Sequence, residues 1–226
     1  EMDSRLPTRQ VGSVIMAKIL KGEFGKAKPA RQGAGQAEKT IPGYQLKLAV
    51  PFSDPLIWRR IKVPGQMTLA GMHRVIQVCM GWQDSDSHQF LVGKLFYQPG
   101  FGIEDFKRKP EYDEAAFELH QLEDGMQFLF SYLYDGGDGW ELQIAVEEIL
   151  EAGRYEPFPR LLDGANGSPP EEVGDIHQYQ AMLAVLDESG VDLADISMNI
   201  GEFTGYRPYV FDFEEINRQL ETISIK

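Results

Sequence analysis

The feature that most constrains this fold is an aromatic-rich segment, residues 127–146, interrupted by a short glycine-rich turn. Before the turn, aromatic residues occupy every second position: Phe128, Phe130, Tyr132 and Tyr134. After it, a second alternating run extends from Trp140 to Val146. Because strand side chains alternate between two faces, both runs predict β-strands with one apolar face. Three glycines within residues 135–139 permit the positive φ of a tight reversal, so the segment predicts an antiparallel hairpin.

The remaining chain supplies further strands and three capped helices. A second hairpin is predicted from the alternating segments 44–50 and 57–63. A further strand is predicted after residue 88, ending at about residue 97. Helix starts are predicted at Thr68, Asp175 and Asp212, each followed by apolar residues at helical spacing. A short helix is predicted from Glu147, and residues 161–168 are predicted to be a loop. The expected fold class is α+β, a mostly antiparallel sheet with helices packed on it.

Charge divides the chain near residue 40. Residues 1–40 carry eight Lys/Arg against four Asp/Glu, so residues 41–226 carry a net charge of −17 within the total of −13. The prediction is a basic N-terminal extension, residues 1–40, followed by a single α+β domain, residues 41–226. An acidic body repels phosphate backbones, which argues against duplex DNA as its partner and leaves the basic arm as the possible phosphate contact.

Several classes of protein are disfavoured by what the sequence lacks. No apolar run approaches the roughly 20 residues of a membrane span, and no phosphate-cradling glycine motif or nucleophile elbow occurs. Cys79 is the only cysteine, which excludes an intrachain disulfide and a multi-cysteine zinc site. It falls on the apolar stripe of the first predicted helix, so it is expected to pack rather than react. The expected location is the cytoplasm, with no membrane partner.

The candidate functional residues lie in three loops rich in polar and aromatic side chains. These loops are expected to meet at one end of the sheet, and their candidate binding residues are Trp82, His88, Tyr134, Asp135, Asp138, Trp140, Glu171 and Glu172. If a divalent cation is bound, Asp135, Asp138 and His88 are its expected ligands. Asp84, Asp86 and His88, at alternate positions, are a second place where a metal site could form. The structural alternative is that the aspartates stabilise turns and Trp140 packs in the core.

Five motifs in order resemble one known family, from about Tyr44 to Leu220. The motif residues are Ile57-Trp58-Arg59-Arg60 with Val63-Pro64, Gly81-Trp82 with Ser87-His88-Gln89-Phe90, Tyr134-Asp135-Gly136-Gly137-Asp138-Gly139-Trp140, Pro169-Pro170-Glu171-Glu172-Val173-Gly174, and Phe211-Asp212 with Glu215-Ile216-Asn217. The chain is similar in these motifs to the plasmid pRiA4b Orf-3-like family. Ser168, where that family often has cysteine, and Asp175, where it has a second glycine, depart from the pattern.

The resemblance implies an α+β fold and an association with mobile elements, because some family members are labelled resolvase-like passengers. That label does not transfer to this chain, whose acidic body shows no recombinase-type serine or tyrosine with basic partners. Two functions remain open. The first is a non-catalytic binding or adaptor module that grips a protein segment or small ligand with the aromatic and acidic loops. The second is a divalent-metal-dependent hydrolase with an Asp/Glu/His site.

Overall fold

The computed structural model describes residues 41–100, 111–126, 130–136, 139–190, 192, 197–200 and 203–225. The predicted N-terminal extension, residues 127–129 and Asp138 lie outside them. The described strands are β1 (Gly43–Ala49), β2 (Trp58–Pro64), β3 (His88–Val92), β4 (Leu95–Gln98), β5 (Glu111–Asp113), β6 (Phe130–Tyr134), β7 (Trp140–Leu150), β8 (Arg160–Ala165), β9 (Met198–Ile200) and β10 (Phe203–Tyr206). The described helices are α1 (Leu69–Met80), α2 (Glu123–Met126), α3 (Ile176–Glu188) and α4 (Phe213–Leu220).

Eight of these strands form one sheet in the order β5-β4-β3-β6-β7-β1-β2-β8. Every neighbouring pair is antiparallel except β4 and β5, which run parallel. The strands β9 and β10 form a separate two-stranded sheet. The expected α+β class, with a mostly antiparallel sheet, is therefore confirmed.

The predicted central hairpin is present as β6 and β7. Phe130 pairs with Ile144, and Tyr134 pairs with Trp140 at the turn. The buried face of β6 consists of Phe130, Tyr132 and Tyr134, as the alternation predicts. The hairpin thus contributes its aromatic side chains to the core and not to an exposed surface.

The helix ends follow the predicted caps. Thr68 accepts a hydrogen bond from the Gly71 amide at the start of α1, and Gly81 ends that helix with a φ of 66°. Asp175 accepts from two amides at the start of α3, and Asp212 accepts from the Glu215 amide at the start of α4. Capping residues read from the sequence therefore locate all three longer helices.

Three segments differ from expectation because strand pairing overrides local pattern. The strand predicted through residue 97 is two strands, β3 and β4, which reverse at Gly93 with a φ of 64°. The helix predicted from Glu147 is instead the end of β7, because β1 stays paired with it as far as Leu150. Part of the predicted loop 161–168 is β8, which pairs with β2.

The core lies between the sheet and the helices, and a buried arginine crosslinks its edge. Arg59 of β2 donates to the carbonyls of Cys79 and Ala165 and to the Ser168 hydroxyl. Its guanidinium also lies 4.1 Å from the centre of the Phe211 ring. Burial lowers the pKa of Arg59 to about 10, so it remains charged at neutral pH.

Cys79 is fully buried in the same core, as the apolar stripe predicts. Burial raises the pKa of its thiol to about 12, so the reactive thiolate is disfavoured. Among the described helices, none is both long and apolar enough to cross a membrane.

Candidate functional site

The three loops that carry the predicted site residues meet at one end of the large sheet. His88 pairs with Tyr134 where β3 and β6 adjoin, and the Asp135 amide donates to the Ser87 carbonyl at 2.9 Å. The Trp82 indole donates to the Pro169 carbonyl at 3.0 Å. Strand pairing and these two hydrogen bonds therefore bring together loops that are far apart in sequence.

The first group of polar residues at this end is the Glu171 network, formed by Glu171, Gln83, Ser85 and Tyr134. The Glu171 carboxylate accepts from the Gln83 amide at 2.8 Å, from the Ser85 hydroxyl at 2.6 Å and from the Tyr134 hydroxyl. Burial raises the pKa of Glu171, but these hydrogen bonds outweigh it, and the pKa is lowered overall. Its oxygens are thus occupied in holding the loop after α1.

The aromatic members of the predicted site are core residues. Trp82, Tyr134 and Trp140 are 6%, 0% and 1% exposed. Trp82 stacks on Tyr134 with ring centres 5.0 Å apart, and the Trp140 indole donates to the Glu171 carbonyl. Burial raises the pKa of Tyr134 to about 12. In the described structure these rings are therefore not available to a partner, whereas Asp135 and Glu172 are exposed.

The second group is the histidine cluster, formed by His73, Asp84, His88 and Glu114. One ring nitrogen from each histidine and one carboxylate oxygen of Asp84 lie within 4.8 Å of one another. Nε2 of His73 is 3.0 Å from Oδ1 of Asp84. Two ligands that each lie about 2.1 Å from one ion are themselves about 3.0–3.4 Å apart, so the His73–Asp84 pair already has the spacing of two ligands of one ion.

Each of the two histidines also has a polar partner outside the group of potential ligands. His88 Nε2 lies 2.9 Å from the Glu114 carboxylate, and both side chains are nearly inaccessible. Because a carboxylate accepts and does not donate, Nε2 of His88 is the donor in this contact. Nδ1 of His73 lies 2.8 Å from the Tyr132 hydroxyl, and that hydroxyl accepts a hydrogen bond from Gln77. Such outer partners are typical of metal-binding histidines.

The charge state of His73 also favours metal binding. Burial lowers the pKa of His73, the neighbouring His88 lowers it further, and Asp84 opposes both effects. The ring is therefore neutral at physiological pH, which is the form that binds metals. Its Nε2 donates to the Asp84 carboxylate, and an ion bound here would take the place of that proton.

The two histidine rings are stacked, and this limits how they can bind an ion. Their centres are 3.5 Å apart and their planes differ by 3°. An ion bound through an imidazole nitrogen lies close to the plane of that ring. Since parallel stacked planes share no such point, one ring has to turn when both bind the same ion.

The residues that lie close enough to hold a cation differ from those that the sequence predicted. Among the described residues, the group close enough to share an ion contains His88, which is in both predicted sets, and Asp84 of the second set, together with His73. Asp135 and Asp86 are not in that group, and Asp138 lies outside the described residues. Burial, and then the charges of Asp135 and Glu171, raise the pKa of Asp86, which shows how closely acidic groups are gathered here.

The sequence patterns did not identify His73, Gln77 or Glu114 as site residues. His73 and Gln77 are four residues apart on α1, so they share one side of the helix, beside its apolar stripe. Two polar residues at that spacing, next to an apolar stripe, were an available sequence signal of a polar contact with the sheet. Glu114 follows β5 in a short 3-10 turn, and no periodicity points to it.

A polar cavity of about 290 Å³ adjoins the histidine cluster. Its walls come from the start of β3, the ends of β4 and β6, and the loop after α1. The polar side chains in these walls are Asp84, Asp86, Ser87, His88, Gln89 and Gln98. Two of the three potential metal ligands therefore face this space.

The fold and the site together define a class: an α+β protein in which helices cover an antiparallel sheet and loops at one end gather histidines and carboxylates. Residues 42–219 match the family described as Plasmid pRiA4b ORF-3-like protein. The chain belongs to this family, as its motifs predict.

Two similar proteins extend the comparison. The Uncharacterized protein y4hQ of Sinorhizobium fredii is 28% identical over 184 residues, which cover 80% of this chain and 92% of the relative. The crystal structure of a protein of unknown function, MM3350 from Methanosarcina mazei Go1, superposes with a TM-score of 0.61 at 27% identity. That match covers 79% of this chain and 98% of the other. Neither title states an activity, so the function has to be argued from the site.

Proposed function

We propose that this protein binds one divalent transition-metal ion through His73, Asp84 and His88, in an open site of the kind used by metal-dependent hydrolases. The observation that carries the proposal is the approach of three potential ligand atoms to within 4.8 Å of one another. Two imidazoles and one carboxylate suit zinc, iron, cobalt or nickel better than calcium or magnesium.

The number of protein ligands supports a reactive ion over a purely structural one. Structural zinc sites use four protein ligands, whereas catalytic sites use three and leave a position for water or substrate. An ion in such a site lowers the pKa of its bound water and so supplies a nucleophile at neutral pH. Here, Glu114 would orient His88 and Tyr132 would orient His73.

The alternative, a binding or adaptor module built on the aromatic and acidic loops, has less support. Its aromatic residues Trp82, Tyr134 and Trp140 are buried, and the Glu171 oxygens are occupied. The exposed residues available to a partner form an acidic rim that includes Asp135 and Glu172. A rim of exposed charges contributes more to the rate of association than to affinity.

The test is metal content, measured by elemental analysis on protein purified without a histidine tag. We expect about one transition-metal ion per chain, as in other three-ligand sites. The double variant His73→Gln/His88→Gln should lose it. His177→Gln is the matched control, because His177 is exposed on α3 and outside the histidine cluster, and it should keep the ion.

Two results would count against a metal site here. One is wild-type protein that neither contains a transition metal nor takes up Zn²⁺ or Co²⁺ in equilibrium dialysis. The other is a double variant that is folded, by circular dichroism, and binds as much metal as the wild type.

A further inference from the structure

The polar cavity has a composition that selects among ligands. Its described lining contains two aspartates, one histidine, one serine and two glutamines, and no lysine or arginine. The apolar part of the wall includes Pro99 and Leu133. Hydroxyl and amide side chains donate and accept hydrogen bonds, whereas aspartates only accept when ionised.

We infer that this cavity holds the substrate or ligand of the metal site, and that it takes a small uncharged or cationic molecule and excludes phosphate and other anions. The inference rests on the proposed metal site, because the ligand would complete the coordination of that ion. Asp84 and His88 contribute both to the candidate metal site and to the cavity wall, so a molecule in the cavity would reach an ion held there.

Charge is the first argument for this class of ligand. A divalent ion brings two positive charges, and the carboxylates of Asp84, Asp86 and Glu114 outnumber them. Sites that act on phosphate esters place arginine, lysine or several metal ions around the phosphate oxygens. None of the described lining residues offers such a cation, and the carboxylates described around the site exceed the charge of the ion, which disfavours an anion.

Size is the second argument. Pockets that enclose drug-sized molecules occupy roughly 300–1,000 Å³. At about 290 Å³, the polar cavity lies just below that range and fits a compact molecule or one end of a longer one. Its hydrogen-bonding walls suit a carbonyl, amide or amine group that can also coordinate the ion.

The experiment uses the full chain loaded with Co²⁺, whose visible absorption reports changes in coordination. Imidazole, uncharged at pH 8, and inorganic phosphate are titrated separately into wild-type protein and into Asp86→Asn. Asp86 is chosen because it lines the cavity, lies outside the three-ligand group, and is replaced by a residue of the same size. Co²⁺ affinity is measured first for both proteins.

We expect imidazole to shift the wild-type spectrum and phosphate to leave it unchanged at the same concentration. In Asp86→Asn, phosphate should bind roughly tenfold more tightly, because one nearby negative charge is gone, while imidazole affinity changes less than about twofold. Phosphate that binds the wild type as tightly as imidazole, or that is unaffected by Asp86→Asn, would overturn the anion exclusion. Failure of wild-type protein to bind either Co²⁺ or Zn²⁺ refutes the metal site itself, and is seen before imidazole or phosphate is added.

Discussion

At the scale of single residues, the site contains two carboxylates in different roles. Glu171 is buried and accepts hydrogen bonds from two side chains and two amides, so its role is to hold the loop after α1. Asp84 is exposed, has a φ of 58°, and is fixed by donation from its amide to the Gln77 side chain. A residue other than glycine in this left-handed region is uncommon, and here it directs a carboxylate toward His73.

The Glu171 network predicts an acid-sensitive contribution to stability. We expect Glu171→Gln to lower the free energy of unfolding at pH 7 by about 1–3 kcal/mol, because one buried donor loses its partner. Since the folded-state pKa of Glu171 is lowered, its contribution is present above the unfolded pKa of about 4.5 and is lost as pH falls through the folded value. The difference between wild type and variant should therefore shrink below about pH 4.5.

Urea unfolding followed from pH 7 to pH 3 measures this difference. Glu172→Gln is the matched control, because the neighbouring side chain is exposed, and it should leave stability unchanged. A Glu171→Gln protein as stable as wild type at pH 7 would show that the network contributes little.

The stacked histidines give a second residue-scale prediction. Titration with Zn²⁺ should shift the ring-proton NMR signals of both His73 and His88, because one ring must leave the stack for both to bind one ion. The signals of His177, which is exposed and distant in sequence, should not move. Shifts confined to one of the two stacked rings would mean that they do not share an ion.

At the scale of elements, the β8 edge of the sheet is covered by contacts from other parts of the chain. Asn217 of α4 accepts from the Leu161 amide and donates to the Leu161 carbonyl, which satisfies backbone groups on an edge strand. Arg59 connects β2, the end of α1 and the end of β8 through backbone carbonyls. Through these contacts Asn217 ties α4, and Arg59 ties α1, to strands of the sheet.

The crosslinking role of Arg59 predicts a large effect of its removal. Arg59→Met keeps much of the side-chain length but leaves the carbonyls of Cys79 and Ala165 without their donor, so we expect a loss of about 2–3 kcal/mol. The adjacent Arg60→Met is the matched control, since Arg60 is partly exposed and pairs with Glu147 in a surface ion pair of little energetic value. Thermal unfolding of both variants makes the comparison, and equal losses would contradict the role.

At the scale of the whole molecule, the uneven charge predicts its behaviour toward nucleic acids. Residues 41–226 carry a net charge of −17, so we expect them not to bind duplex DNA at physiological salt. A mobility-shift titration should compare the full chain with a chain that begins at residue 41. Tight, salt-sensitive binding by the shorter chain would refute the expectation, and binding by the full chain alone would assign the contact to residues 1–40.

The elements whose signals are local could be predicted from the amino-acid sequence. Alternating aromatic residues identified the hairpin of β6 and β7, and capping side chains such as Thr68 and Asp175 located the helix starts. These signals survive because a strand's faces and a helix's first turn are defined by neighbours a few residues away. The five ordered motifs indicated the family through their resemblance to it.

Which polar residues face one another could be seen only in the folded chain. His73 comes from α1, Asp84 from a loop, His88 from β3 and Glu114 from the turn after β5. Their approach depends on how α1 packs on the sheet and on the pairing of β3, which no local period encodes. The same packing buries the aromatic rings of Trp82 and Tyr134, which the sequence predicted to be binding residues. Removing apolar surface from water lowers the free energy, so these rings pack in the core.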